Sequence, residues 1–120
     1  MGKGYYMALT KEEIENAQEI MNKYIEKKRP PIEIRDKVDL SYKIENQSIE
    51  IFEIRPVYKG SGIVNIPIAK TTFTRTSNSW KIYWQRADLK WHLYEQKKEV
   101  KSLNDFIRII DEDKHCCFWG

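Results

Sequence analysis

Two periodicities divide the chain. Between Lys11 and Arg29 the apolar residues Ile14, Ala17, Ile20, Met21, Tyr24 and Ile25 recur at helical spacing, with Glu12, Glu15, Asn16, Glu19, Lys23 and Glu26 around them. Thr10 and Glu13 form a capping box, in which each side chain accepts the other residue's backbone N–H, so the helix begins there. Acidic residues lead it and Lys27, Lys28 and Arg29 close it, as the helix dipole favours. Pro30 and Pro31 stop it, because the residue before a proline is driven out of helical geometry. From Val38 the period falls to two. Val38, Leu40, Tyr42 and Ile44 alternate with polar neighbours, Asn46 and Gln47 supply a turn, and Ile49 and Ile51 resume the alternation on a return strand.

The phase of that return strand shifts at Phe52 and Ile54, which predicts a bulge near Phe52; Pro56 ends the strand or places it at an edge. Lys59-Gly60-Ser61-Gly62 reads as a connector. It lacks the glycine spacing and the Lys-Ser or Lys-Thr pair of a phosphate-binding loop. Ile63 to Thr76 is a long β-rich run, and Ser77-Asn78 is the next turn. Ser102 with Asp105 repeats the helix-start signal, and Leu103, Phe106, Ile107 and Ile110 make a second amphipathic stripe. Phe118 and Trp119 are expected to dock back on the sheet. The pattern predicts an α+β fold: an N-terminal helix, a five-stranded antiparallel meander, a short C-terminal helix and a docked aromatic tail, both helices on one face. Residues 1–9 read as a flexible leader and 10–120 as one domain.

Face assignment follows from the hairpin registers. Pairing Arg75 with Trp80 and Arg86 with Trp91 collects Ala69, Thr71, Phe73, Ile82, Trp84, Trp91 and Leu93 on the core face. The opposite, wet face then carries Lys70, Thr72, Thr74, Lys81, Tyr83, Gln85, Lys90, His92, Tyr94 and Gln96, centred on a Tyr83–Tyr94 pair. Ile66 and Ile68 also fall on that face. Either Pro67 marks a bulge that reverses the phase there, or that end of the sheet is covered on both sides.

Charge sharpens this picture. The net charge is only +3, but residues 70–101 hold 8 basic and 3 acidic side chains, an excess of +5 on the stretch that carries the wet face. Rings flanked by lysines suit single-stranded nucleic acid, with bases stacked on aromatics and ammonium groups meeting phosphates. The candidate binding residues are Lys70, Lys81, Tyr83, Lys90, His92 and Tyr94. Tyr83 and Tyr94 also have a purely structural reading as a cross-strand aromatic pair, and the same face could serve as a protein interface or dimer seam.

Other chemistry finds little support. Asp88 with Glu95-Gln96-Lys97 has the form of a metal-dependent nuclease signature, but a tight hairpin holds the two carboxylates on the order of 20 Å apart at ~3.3 Å per residue, too far to share a cation. His115-Cys116-Cys117 lacks zinc-ligand spacing. A non-enzymatic binding module without cofactor or metal is expected. The two cysteines are neighbours, which fits free thiols in a reducing cytoplasm better than a long-range disulfide. The N-terminus has no apolar signal core, and Tyr6 stands where a myristoylation signal needs Ser or Thr.

The run Trp80-Lys-Ile-Tyr-Trp-Gln-Arg-Ala-Asp-Leu-Lys-Trp-His-Leu-Tyr-Glu95, the Pro67-Ile-Ala-Lys70 segment and the terminal Cys117-Phe-Trp-Gly120 resemble a family of short bacterial proteins known only as a domain of unknown function. The resemblance spans the first helix to Gly120 and implies a bacterial, cytoplasmic, single-domain protein with no assigned activity. The family's pattern has Pro and Gly near positions held here by Lys114 and Cys116.

Overall fold

The computed structural model describes residues 8–120. Helix α1 (Lys11–Lys28) is followed by a single 3-10 turn over Ile32–Ile34, then strands β1 (Asp39–Glu45), β2 (Ser48–Pro56), β3 (Ile63–Thr74), β4 (Ser79–Gln85), β5 (Trp91–Leu93) and β6 (Glu99–Val100), and helix α2 (Leu103–Glu112). The strands form one antiparallel sheet in the order β1-β2-β3-β4-β5, the expected meander. A sixth strand, β6, pairs with β4 beyond the end of β5. Residues 1–7 of the expected leader lie outside the described residues. Leu9 is buried and donates its N–H to the Asn46 carbonyl.

Both helices cover one face of the sheet. Met21, Tyr24 and Ala17 from α1 and Phe106, Leu103 and Ile110 from α2 meet Ile49, Ile51, Ala69 and Ile82 in a single apolar cluster, with Trp80 and Trp84 packed at its margin. The capping box is formed in both directions, at 2.8 and 3.1 Å. Glu13 has a second role there. Its carboxylate also takes two N–H bonds from the Arg75 guanidinium, at 2.8 and 3.0 Å, and Arg75 in addition donates to the Ala8 carbonyl at 2.7 Å. The start of α1 is thereby tied to the β3–β4 turn. At the other end of α1, Arg29 grips Asp39 of β1 through a two-pronged ion pair, and the Tyr24 hydroxyl donates to Asp111 of α2 at 2.7 Å.

The bulge expected near Phe52 is present, and it resolves the conflict at Ile66 and Ile68. The β2–β3 register shifts between Ile51 and Phe52, since Ile51 opposes Ala69 while Phe52 opposes Pro67, leaving Ile68 as the extra residue. An added residue reverses the alternation. Ile68 and Ala69 are therefore both buried, while Ile66 on the far side of the bulge is exposed.

The tail docks as expected, through a device absent from the periodicity. Asp113, in the left-handed conformation at the end of α2, accepts the backbone N–H groups of Cys117, Phe118 and Trp119 at 2.9, 3.1 and 2.8 Å. Phe118 joins the core, and the Trp119 indole N–H donates to the Ile110 carbonyl. Cys116 has φ 56°, a conformation that favours glycine.

Two outcomes follow. The Arg75 hydrogen bonds hold the Glu13 carboxyl down to about 2 from its ordinary 4.5, against the opposing effect of its partial burial. A depressed carboxyl stabilises the fold above its unfolded pKa, and that contribution is lost as pH falls through the folded value. Thermal unfolding followed between pH 5 and 2 should show a decline in stability that is shallower in Glu13→Gln, whose pH 7 stability is lower. Asp113→Asn removes the charge and one acceptor from the tail clamp and should cost about 1 to 3 kcal/mol by denaturant titration.

Candidate nucleic-acid interface

The hairpin between β4 and β5 decides which rings face outward. Leu89 N–H bonds to the Arg86 carbonyl, Arg86 N–H to the Lys90 carbonyl, and Leu89 sits at φ 63°. That is a tight turn followed by a left-handed residue, which adds one residue to the loop side of the ladder. Asp88 supports it by accepting the Lys90 N–H at 2.9 Å, a bond that with His92 holds its carboxyl below the usual range. Tyr83 consequently opposes Leu93, Trp84 opposes His92 and Gln85 opposes Trp91.

This register differs by one residue from the Arg86–Trp91 pairing expected from sequence, and every side chain of β5 changes face. Trp91 and Leu93, expected in the core, share the outer face with Tyr83. His92 and Tyr94, expected on the wet face, lie on the core side. Tyr94 is only 3% exposed, and its ring is 5.0 Å from Phe118 and 6.3 Å from His115. Burial pushes its phenol pKa up, as do the neighbouring Cys117 and Asp113. The Tyr83–Tyr94 pair does not form. Past Tyr94 the chain leaves the sheet: Ile82 bonds to Tyr94 and Lys98 on either side of the excursion, so Gln96 lies in a turn and not on the face. The β3–β4 hairpin also departs from expectation, with Phe73 opposite Trp80, but by two residues, which leaves both strands' faces as predicted.

What the structure does bring together is Lys70, Tyr83 and Trp91. The Lys70 ammonium lies 5.9 Å from the Tyr83 ring centre and 5.7 Å from that of Trp91, within cation–π range of both. Lys81 is on the same face one cross-strand row away, opposite Thr72. Lys90 is exposed in the turn beside Trp91. His92 donates to or accepts from Asp88 at 2.8 Å instead of joining the rings.

Neighbouring strands add carboxylates. Glu50 of β2 opposes Lys70 and Lys43, and Glu99 of β6 opposes Lys81 and bonds to Ser79. With Glu45 on β1, the central face carries three lysines and three glutamates, Lys43, Lys70, Lys81 against Glu45, Glu50, Glu99. Glu45 and Glu50 thus offset lysines on the β1–β2 side, Glu99 being already among the three acidic residues of 70–101, and Asp88 accompanies Lys90 in the β4–β5 turn.

Asp88 and Glu95 of the nuclease-like pattern are separately engaged, Asp88 by His92 and Lys90, and Glu95 by Lys98 at 3.5 Å. Among the described residues no group of three or more His, Cys, Asp or Glu side chains is placed to hold a metal ion. Burial and the nearby Asp113 raise the Cys117 thiol pKa, which lowers its thiolate content. No helix among the described residues is long and apolar enough to cross a membrane.

Residues 9–120 match the family described as domain of unknown function DUF3024. The chain belongs to this family. No curated protein and no solved structure matches it. For this DUF3024 chain the match covers every element from α1 to the clamped tail, so the Lys70, Tyr83 and Trp91 cluster lies within the family domain.

The exchange of faces is directly measurable. Tyr94→Ala empties a core position and should cost about 3 to 5 kcal/mol, the range for large aromatic truncations. Tyr83→Ala should cost about 1 kcal/mol or less, as the loss of a surface cross-strand contact. Equal losses in denaturant titrations would refute the assignment of Tyr94 to the core side.

Proposed function

We propose that this protein is a non-enzymatic cytoplasmic binding module that takes a short segment of single-stranded nucleic acid on the outer face of β3, β4 and β5. The observation that carries the reading is the Lys70 ammonium set between the Tyr83 and Trp91 rings. Two rings on adjacent strands offer stacking surfaces for successive bases, and a cation between them meets the connecting phosphate. The adjacent free cysteines support the cytoplasmic placement.

The carboxylates define the extent of such a site. Glu50 and Glu45 repel phosphate from the β1–β2 half, so the strand would run over Trp91 and Tyr83 and contact Lys70, Lys81 and Lys90. Three phosphates neutralised on a single strand, one for each lysine, give a salt slope of about −2.1 in log K against log salt. That is a shallow dependence, and it distinguishes this site from a broad basic surface.

Titration of a fluorescent oligothymidylate should therefore lose roughly 18-fold in affinity between 50 and 200 mM salt. Trp91→Ala should weaken binding by about 1 to 3 kcal/mol, the usual range for one stacked base. Lys70→Ala should flatten the salt slope by about 0.7. Binding that is unchanged in Trp91→Ala refutes the site, and no binding at low salt refutes the reading.

A further inference from the structure

Exposed apolar side chains are concentrated at one end of the molecule. Of the eight large hydrophobic residues that stand exposed among the described residues, Leu89 is in the β4–β5 turn, and the other seven are Ile32, Ile34, Val57, Tyr58, Ile63, Val64 and Ile66. The first two are on the 3-10 turn leading into β1, whose first residue Asp39 opposes Ile54, and the rest are on the distal β2–β3 hairpin. Tyr58 is 85% exposed, Ile32 73% and Ile63 68%. A concentration of exposed apolar side chains of this kind is what a protein–protein seam covers.

The backbone there is also incomplete. β4 begins to pair with β3 at Lys70, so among the described residues the segment from Ile63 to Ala69 has β2 on one side and no strand on the other. Open edges are ordinarily guarded by charges, by shortness or by a covering element. β1, the edge at the other side of the sheet, carries Asp39, Lys43 and Glu45. Between Lys59 and Lys70 there is no charged residue at all. Pro67 is tolerated because a missing N–H costs nothing on an unpaired side.

We propose that a second copy of this chain docks here, pairing β3 with β3 of its partner in antiparallel register about a two-fold axis at Ile63 to Ile66. A strand edge is self-complementary under such an axis, because each strand supplies the N–H and C=O groups that the other needs. The electrostatics fit a copy of the chain better than a charged partner. The paired segment is neutral, and its surroundings mix signs, with Glu33, Asp36 and Glu53 beside Arg35, Lys37, Arg55 and Lys59. The apolar side chains on both sides of the hairpin would then be covered by their counterparts across the axis. This seam does not depend on the Lys70 platform, which occupies the paired part of β3.

Sedimentation equilibrium of the full chain from about 1 to about 200 µM should show a concentration-dependent species of about 29 kDa, twice the 14.4 kDa chain. Ile63→Lys with Val64→Lys places like charges across the axis and should give a 14.4 kDa monomer with unchanged far-ultraviolet circular dichroism. Hydrogen exchange on the wild type carries the test if that variant does not fold. The amides of residues 63–66 should be protected at high concentration and lose protection on dilution. A monomer at every concentration overturns the proposal and leaves the apolar end to a different protein. A dimer whose 63–66 amides exchange as fast as the monomer's, or one that survives in the folded variant, overturns the seam.

Discussion

A single sheet covered on one side must keep its apolar residues on that side for the whole length of every strand. Here α1, α2 and the C-terminal tail close one face, and Ile49, Ile51, Ala69 and Ile82 are sealed beneath them with almost no exposure. Burying each of the isoleucines contributes about 1.5 to 3 kcal/mol, more than a typical turn or surface contact. The local irregularities of the backbone answer to that requirement. The extra residue at Ile68 turns a misphased isoleucine inward, and the left-handed Leu89 turns Tyr94 inward at the cost of sending Trp91 out. Trp91 is thus on the outer face as a consequence of register, and the ring pair around Lys70 exists because of it.

The helices and the first strands were legible because their signals are local. Thr10 with Glu13 and Ser102 with Asp105 specify helix starts within four residues, and both caps are formed. The alternation from Leu40 to Ile51 likewise needs no distant partner, and the disturbed phase at Phe52 pointed to the bulge. Hairpin registers are harder to read. An error of two residues at Ser77-Asn78 preserved the faces of β3 and β4, whereas an error of one at Asp88 inverted β5. The turn concealed its own geometry, since a left-handed position ordinarily announces itself with glycine or asparagine, and here it holds leucine. Nor could the sequence show that β6 exists, because two residues carry no period.

The charge of the candidate site was misjudged for a related reason. Counting along residues 70–101 gave a basic excess, but charge on a sheet is shared across strands. Glu50 lies one strand over from Lys70, though 20 residues away in the chain, and Glu45 enters the row of Lys81 through Ser48 and Thr72. Such neighbours become visible only with the register. The tail shows the converse. Its docking was legible from the cost of exposing Phe118 and Trp119, while the means, a carboxylate at Asp113 gathering three backbone N–H groups, depends on left-handed geometry at Asp113 and Cys116 that the residue types do not announce.

The two sides of the sheet are guarded unequally. β1 carries charges of both signs along its edge, and β5 is only three residues long, so neither offers an incoming strand much to pair with. β3 is twelve residues long, and its distal half is open, uncharged and flanked by exposed isoleucine, valine and tyrosine. Leaving such a segment in water exposes apolar side chains and unpaired amides that a strand would satisfy. The same chain spends a capping box and a two-pronged Glu13–Arg75 pair to close its other end. Covering the β2–β3 arm would remove that asymmetry, and the neutral, self-complementary strand at its edge is a surface that another copy of itself fits.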